Sequence, residues 1–258
     1  MSILSFPGKT SSSGVPLRAG ASSVAALAAG GAPMRPHFTV PVRIFHEAYG
    51  CAAPAEPSPL DDQTRYARLQ LNTEETGELF WALAAGDLIK ALDALCDIEY
   101  VTCGTLVACG ADRCGHQLPN QLSDSDGPPR LPPADLGLQL GATLLEGTAA
   151  LAMALAANQW AAIANVAATL HVTLGKVWAA FRVPQPVREA LLDEVQRSNM
   201  TKFDAEGRPV VNEAGRVVKG PNYEPPRLVE VLMRFYGADY QPPALRGEVT
   251  TPLSGGVR

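Results

Sequence analysis

Thr73-Glu74-Glu75-Thr76-Gly77-Glu78-Leu79-Phe80-Trp81, followed by Asp93-Ala94-Leu95-Cys96-Asp97-Ile98, decides how this chain folds. The acids stand among Leu69, Leu71, Leu79, Phe80, Leu83, Ile89, Leu92, Leu95 and Ile98, and Lys90 is the only base between Leu69 and Ile98. The apolar spacing is helical, and a helix turns about 100° per residue, so Glu74, Glu75 and Glu78 share one arc. Asp93 and Asp97 are four residues apart and share another. Gly86-Asp87 breaks the pattern midway between the two groups. Two antiparallel helices joined there bring both arcs to the same height. A solvated acidic face would carry interleaved lysines and arginines, and Lys90 alone does not supply them. Carboxylates gathered on core-forming helices are costly unless cations hold them. Five hard oxygen donors suit Mg²⁺ or Mn²⁺, whereas zinc would want His or Cys. The pattern therefore predicts a metal site at Glu74, Glu75, Glu78, Asp93 and Asp97, with Glu74 or Glu75 placed to orient or deprotonate a water.

The 258 residues, 47 % of them hydrophobic, suffice for a real core, and the net charge is −5. A chain that grips a nucleic-acid polymer would show a basic surplus or stripe, so none is expected as a partner. The five cysteines form no disulfide framework and are expected as free thiols in a reducing, cytoplasmic setting. Residues 1–46 lack acids and are rich in Ser, Ala and Gly, which suits a flexible tail better than an organellar transit peptide. No formal charge falls between Gly147 and Gly175 if His171 is neutral. That stretch is long enough to span a bilayer, but its alanines and scattered amides suit helix packing in a bundle, so no membrane partner is expected.

Proline and glycine set the boundaries. A tail at 1–38 precedes a helical half at 39–110, which carries the acids. A linker at 111–134 leads to a second helical region at 135–183, then to a closing helix and tail at 184–240 and a flexible end at 241–258. Arg208-Pro209-Val210-Val211 and Arg216-Val217-Val218-Lys219 flank Asn212-Glu213-Ala214-Gly215 and predict a small β-hairpin. A worn repeat is also present. Trp81–Asp87 resembles Met153–Gln159, Val101–Gly104 resembles Val172–Gly175, and Leu69–Leu71 resembles Leu138–Leu140, at offsets of 72, 71 and 69. In the second copy only Glu146 keeps an acid. The expected architecture is all-α, a helical bundle built from a duplicated helix pair (a pseudo-dimer) with a short β-hairpin tail.

Residues after the closing helix supply cations and polar groups. Lys202, Arg216 and Lys219 are candidates to clamp phosphates, and Ser198 and Asn199 to hydrogen-bond a phosphate or sugar. Lys90 joins them as a substrate contact. Phe45, His46, Trp81 and Tyr223 are candidates to stack on a base, although Trp81 reads more readily as core and His46 equally as surface. Cys109-x4-Cys114-x-His116 lacks a fourth ligand and does not read as a zinc site.

Glu74-Glu75-x-x-Glu78 with Asp93 and Asp97 resembles the metal signature of the all-α nucleoside triphosphate pyrophosphohydrolases, closest to phage and bacterial MazG-like members. Phe45-His46-Glu47-Ala48-Tyr49-Gly50 looks like their opening helix, and Asp97-Ile98-Glu99-Tyr100-Val101-Thr102-x-Gly104-Thr105 like their second metal helix. Glu194-Val195-Gln196-Arg197-Ser198-Asn199-Met200-Thr201-Lys202 looks like their closing motif. Gly207-x-Pro209, Gly215–Tyr223 and Pro226 look like their tail. Two departures stand out. Ala94 occupies the position where the family often has its acid, with Asp93 one residue earlier, and Ala111–Pro186 is inserted. The resemblance implies Mg²⁺- or Mn²⁺-dependent cleavage of a (d)NTP, a dNTP by preference, to (d)NMP and pyrophosphate. It also implies a homo-oligomer, a dimer of pseudo-dimers, in a bacterial or phage-infected cytoplasm. The alternatives are a non-catalytic nucleotide binder and a helical scaffold or membrane-associated protein.

Overall fold

The computed structural model of the chain describes residues 38–113, 127–212 and 217–243. Seven α-helices occur among them: α1 (Thr39–Ala48), α2 (Asp62–Ala85), α3 (Leu88–Ala108), α4 (Ala134–Ala157), α5 (Trp160–Ala180), α6 (Gln185–Asn199) and α7 (Leu228–Tyr236). Local chemistry sets their ends. Asp61 caps α2 by accepting from the Thr64 N–H at 2.7 Å. Gly86 closes α2 in the left-handed region, and Asp87 caps α3 through the Lys90 N–H at 3.0 Å. Pro184 and Pro186 open α6, where a missing N–H costs nothing.

The duplication is plainer in the backbone than in the sequence. The second pair has the same helix lengths as the first, 24 and 21 residues, shifted from 62 to 134 and from 88 to 160. Both shifts are 72. The left-handed caps follow the same register: Gly86 (φ 70°) is matched by Asn158 (φ 50°), and Gly110 (φ 73°) by Arg182 (φ 57°). The offsets of 71 and 69 are therefore corrected to a uniform 72, and Val101 corresponds to Thr173 rather than Val172. Alanine and leucine recur so often in these helices that a local match can slip by a residue or more.

The two pairs close a four-helix bundle in which α2 packs on α3 and α4, and α5 packs on α3 and α4. Leu79, Leu92, Leu95, Ile98 and Leu106 of the first pair meet Leu144, Leu151, Ile163, Leu174 and Trp178 of the second in a single core. Asn158, at the tip of the second pair, accepts from the Leu60 N–H at 2.9 Å and donates to the Leu60 carbonyl at 2.8 Å, tying that tip to the start of α2. Helices α1 and α6 cover α3, and α7 packs on α6. The run Gly147–Gly175 is not one helix, because it turns at Asn158-Gln159. Among the described residues, helix α4 alone is long and apolar enough to cross a membrane, yet here it packs against α2 and α5.

The predicted hairpin does not form, and no β-strand exists among the described residues. Two isolated antiparallel bridges stand in its place, Phe203 with Pro209 and Val211 with Val217. Pro209 has no N–H for a ladder, and two short unsupported segments are marginal in water. Its predicted turn at Glu213–Gly215 lies outside the described residues.

Gly110 ends α3 under a double constraint. Its φ is +73°, and an added Cβ would lie 2.6 Å from the Glu56 carbonyl oxygen. Gly110→Ala should destabilise the fold by roughly 1–3 kcal/mol, read as a lower midpoint in urea.

Candidate active site

The acids lie on the facing flanks of α2 and α3. Glu74, Glu75, Asp93 and Asp97 are half-buried, and Glu78 is exposed. The Gln70 side-chain amide donates to Glu74 at 2.7 Å. Asp97 is pushed well above the ordinary carboxylate range, first by burial and then by the charges of Glu75 and Asp93, against the opposing charge of Lys202. Asp93 is raised too, by burial and by Glu78, and drawn back by Lys219 and Lys202. Its buried Oδ1 has no hydrogen-bond partner. Acids of the two helices thus feel one another's charge, and Lys202 and Lys219 oppose it.

Helix pairing is held to this register by buried polar groups that sequence reading passed over. Asn72 donates to the Arg68 carbonyl at 2.8 Å and accepts from the Thr102 hydroxyl at 3.3 Å. Thr76 donates to the Asn72 carbonyl at 2.7 Å, and Thr105 stands within 3.5 Å of the Asn72 amide. The clue was available in sequence: polar residues at core-facing positions of both helices must answer one another.

A cleft of about 310 Å³ opens beside the acids, lined by Glu78, Trp81, Lys90 and Asp93. Trp81 is not a core residue; it is 79 % exposed. The core side of this turn of α2 is taken by Leu79 and Ala82, which leaves position 81 facing outward. Lys90 is exposed and reaches back to Asp87 at 3.8 Å.

The remaining predicted contacts divide. Lys202 and Lys219 oppose the charge of the acids, as described. The Lys219 ammonium also sits 4.8 Å from the centre of the Tyr223 ring, a cation–π contact. Ser198 donates to the Glu224 carbonyl at 2.7 Å, so its hydroxyl anchors the tail. Asn199 is buried, its carbonyl accepting from Tyr49 at 2.9 Å. His46 is buried rather than on the surface, its Nδ1 2.7 Å from the Ala52 carbonyl. Burial and the Arg68 charge lower it to about 4, so it is neutral at pH 7 and donates that bond. An added Cβ at Gly104 would lie 2.6 Å from the Arg68 guanidinium and 3.0 Å from the His46 ring, so glycine there lets both side chains lie close against α3. Phe45 stacks on Tyr49 at 4.3 Å, and Tyr49 on Phe203 at 4.2 Å, which makes Phe45 part of the packing between α1 and the tail. Arg216, Cys114 and His116 lie outside the described residues.

In the second pair the equivalents of Glu74, Glu75, Glu78, Asp93 and Asp97 under the 72-residue shift are Glu146, Gly147, Ala150, Asn165 and Thr169. It cannot repeat the carboxylate chemistry of the first.

As the side chains stand, no group of three or more His, Cys, Asp or Glu among the described residues is drawn in tightly enough to hold a metal ion. The donor set still fits a divalent ion. It consists of carboxylates alone, and one buried carboxylate oxygen lacks a partner.

Residues 42–113 match the family model described as phosphoribosyl-ATP pyrophosphohydrolase. That span holds α1, α2 and α3 nearly whole, with every acid of the site. No curated protein and no solved structure matches the chain. MazG-like hydrolases generally use divalent metal cofactors. The matched family belongs to the MazG-like, all-α nucleoside triphosphate pyrophosphohydrolase superfamily, whose members hydrolyse phosphoanhydride bonds, and residues 42–113 of the chain are similar to it.

Proposed function

We propose that this chain is a Mg²⁺- or Mn²⁺-dependent enzyme that cleaves a nucleoside triphosphate, preferably a deoxynucleotide, between its α- and β-phosphates. The observation that carries the reading is the gathering of half-buried acids on α2 and α3: Asp93 and Asp97 are raised first by burial, then by Glu78 in the one case and by Glu75 and Asp93 in the other, and Lys202 opposes both. A protein does not maintain such a crowd for stability; a cation and a polyphosphate give it a use.

Glu74, Glu75, Glu78 and Asp97 hold the ion, with Asp93 beside them at the cleft. A divalent ion bound there would supply Lewis acidity, drawing charge from the phosphates and lowering the pKa of a nearby water. Glu74 or Glu75 takes the proton from the water that attacks the α-phosphorus. The bond from that phosphorus to the bridging oxygen breaks, and pyrophosphate leaves with the bond's electron pair. Lys202 and Lys219 clamp the phosphates of the triphosphate to the same degree before and during the cleavage. Trp81, open to the cleft, offers a flat face to a base, and Lys90 offers a cation at its rim.

Each chain carries one competent helix pair. Large apolar side chains are exposed at equivalent places in both pairs, Tyr66 with Leu138 and Trp81 with Met153. With Trp81 left to the cleft, the exposed pair Tyr66 and Leu138 supports association of two chains through the α2 and α4 faces.

The test is a panel of ribo- and deoxynucleoside triphosphates with Mg²⁺ and with Mn²⁺, followed by monophosphate and pyrophosphate. At least one deoxynucleotide should be turned over, and chelation should stop the reaction. Hydrolysis of none, or release of orthophosphate alone, would refute the proposal.

A further inference from the structure

Glu99 is an acid that the metal site does not use. It lies on α3 two residues beyond Asp97 and is 2 % exposed. Successive helix positions place its side chain on the flank away from Asp97. Three elements converge on its carboxylate. Arg188, in the first turn of α6, donates through Nε at 2.9 Å and Nη2 at 2.6 Å. Trp178 of α5 donates through Nε1 at 2.8 Å. His171 of α5 brings Nδ1 to 3.8 Å. Under the 72-residue shift position 99 corresponds to position 171, so equivalent places of the two copies meet here. Glu99 thus joins the acid-bearing pair, its acid-poor copy and the closing helix at one point.

Helix α6 is fixed to α3 a second time near its other end, where the Tyr100 hydroxyl donates to Gln196 at 2.8 Å. Beyond that end come Asn199, which accepts from Tyr49, and Lys202, whose N–H donates to the Asn199 carbonyl at 3.2 Å. The rod therefore lies across α3, with Arg188 on one flank and Lys202 on the flank of the acids.

We propose that Glu99 is a positioning residue: by gripping Arg188 it fixes α6 across α3 and so sets Lys202 against the acidic site. This rests on the assignment of that site to triphosphate hydrolysis. The fork geometry is what makes the grip directional. A guanidinium bound through two nitrogens holds an angle as well as a distance, and the buried setting keeps water from competing. Loss of the grip leaves α6 free to tilt about its Gln196 end, and Lys202 drifts from the phosphates.

The test is steady-state kinetics on Glu99→Gln, Lys202→Ala and the double variant. Glu99→Gln should raise KM for the triphosphate about tenfold while kcat changes by less than about twofold, the signature of lost ground-state binding. In the Lys202→Ala background the same substitution should leave KM unchanged, because the group it positions is gone. Arg188→Lys keeps the charge and loses the fork, and should move KM in the same direction if Glu99→Gln does not fold. Unshifted KM in both variants, or an equal KM shift with and without Lys202, would overturn the positioning role. Failure of both variants to fold would also overturn it, by making Glu99 a folding residue. Absence of hydrolysis by the wild-type chain would instead overturn the assignment of the site.

Discussion

Glu78→Gln should lower the rate of pyrophosphate release by at least about a thousandfold, roughly 4 kcal/mol of lost transition-state stabilisation, with no loss of helix. The reasoning is local. Glu78 is exposed on α2, and among the described residues no hydrogen bond or ion pair ties it to another element, so the amide disturbs no packing. The substitution removes a charge where α2 faces Asp93 across the cleft, and Asp93 feels that charge. A neutral amide binds a hard divalent cation far less well than a carboxylate. Circular dichroism and thermal melting should match wild type. A variant that hydrolyses at the wild-type rate would remove Glu78 from the site.

Asp97→Asn should do two things at once: abolish hydrolysis and stabilise the metal-free chain. Asp97 is raised well above its ordinary value, chiefly by burial and then by Glu75 and Asp93. A carboxyl raised in the folded state binds more protons there than in the unfolded chain. Its contribution to stability therefore falls as pH rises, beginning near the unfolded value of about 4 and ending where the folded group has ionised. Asparagine removes both the burial cost and the repulsion. Each unit of elevation is about 1.4 kcal/mol. A chain of this size should melt about 2–4 °C higher for each kcal/mol recovered at neutral pH. Asp61 and Asp204, lowered by backbone hydrogen bonds from Thr64 and Arg208, act in the opposite sense, but they are common to both proteins. The difference between the two melting curves across pH isolates Asp97. Wild type should regain the deficit with Mn²⁺, by about 2.7 kcal/mol at a hundred times the dissociation constant, whereas Asp97→Asn should not. Equal melting temperatures at every pH would contradict the account.

Much of this was legible in the sequence because it is written in periodicity. Glu74, Glu75 and Glu78 share an arc and Gly86-Asp87 sets the turn, both of which depend on local spacing. What was not legible depends on contacts between distant segments. Trp81 reads as core in a helix where leucines abound, and only packing against α4 decides which positions face outward. The hairpin pattern at Arg208–Lys219 alternates convincingly, but strand pairing needs donors that Pro209 lacks and support that no third strand gives. The junction of Glu99 with Arg188, Trp178 and His171 spans 89 residues of chain and has no local signature beyond an acid in a very apolar helix. The 72-residue register was blurred because small apolar residues match one another at many shifts. The left-handed caps at Gly86 and Asn158 fix it, and they are backbone features.

Everything functional here depends on acids of α2 and α3 gripping a divalent ion together. Calorimetric titration of Mn²⁺ into the wild-type chain, Glu78→Gln and Asp97→Asn, each with and without a triphosphate carrying a methylene bridge between its α- and β-phosphates, tests that most directly. Wild type should bind Mn²⁺ and bind it more tightly with the analogue present, and both variants should lose most of that affinity. Mn²⁺ binding of the same strength in all three proteins, indifferent to the analogue, would contradict it.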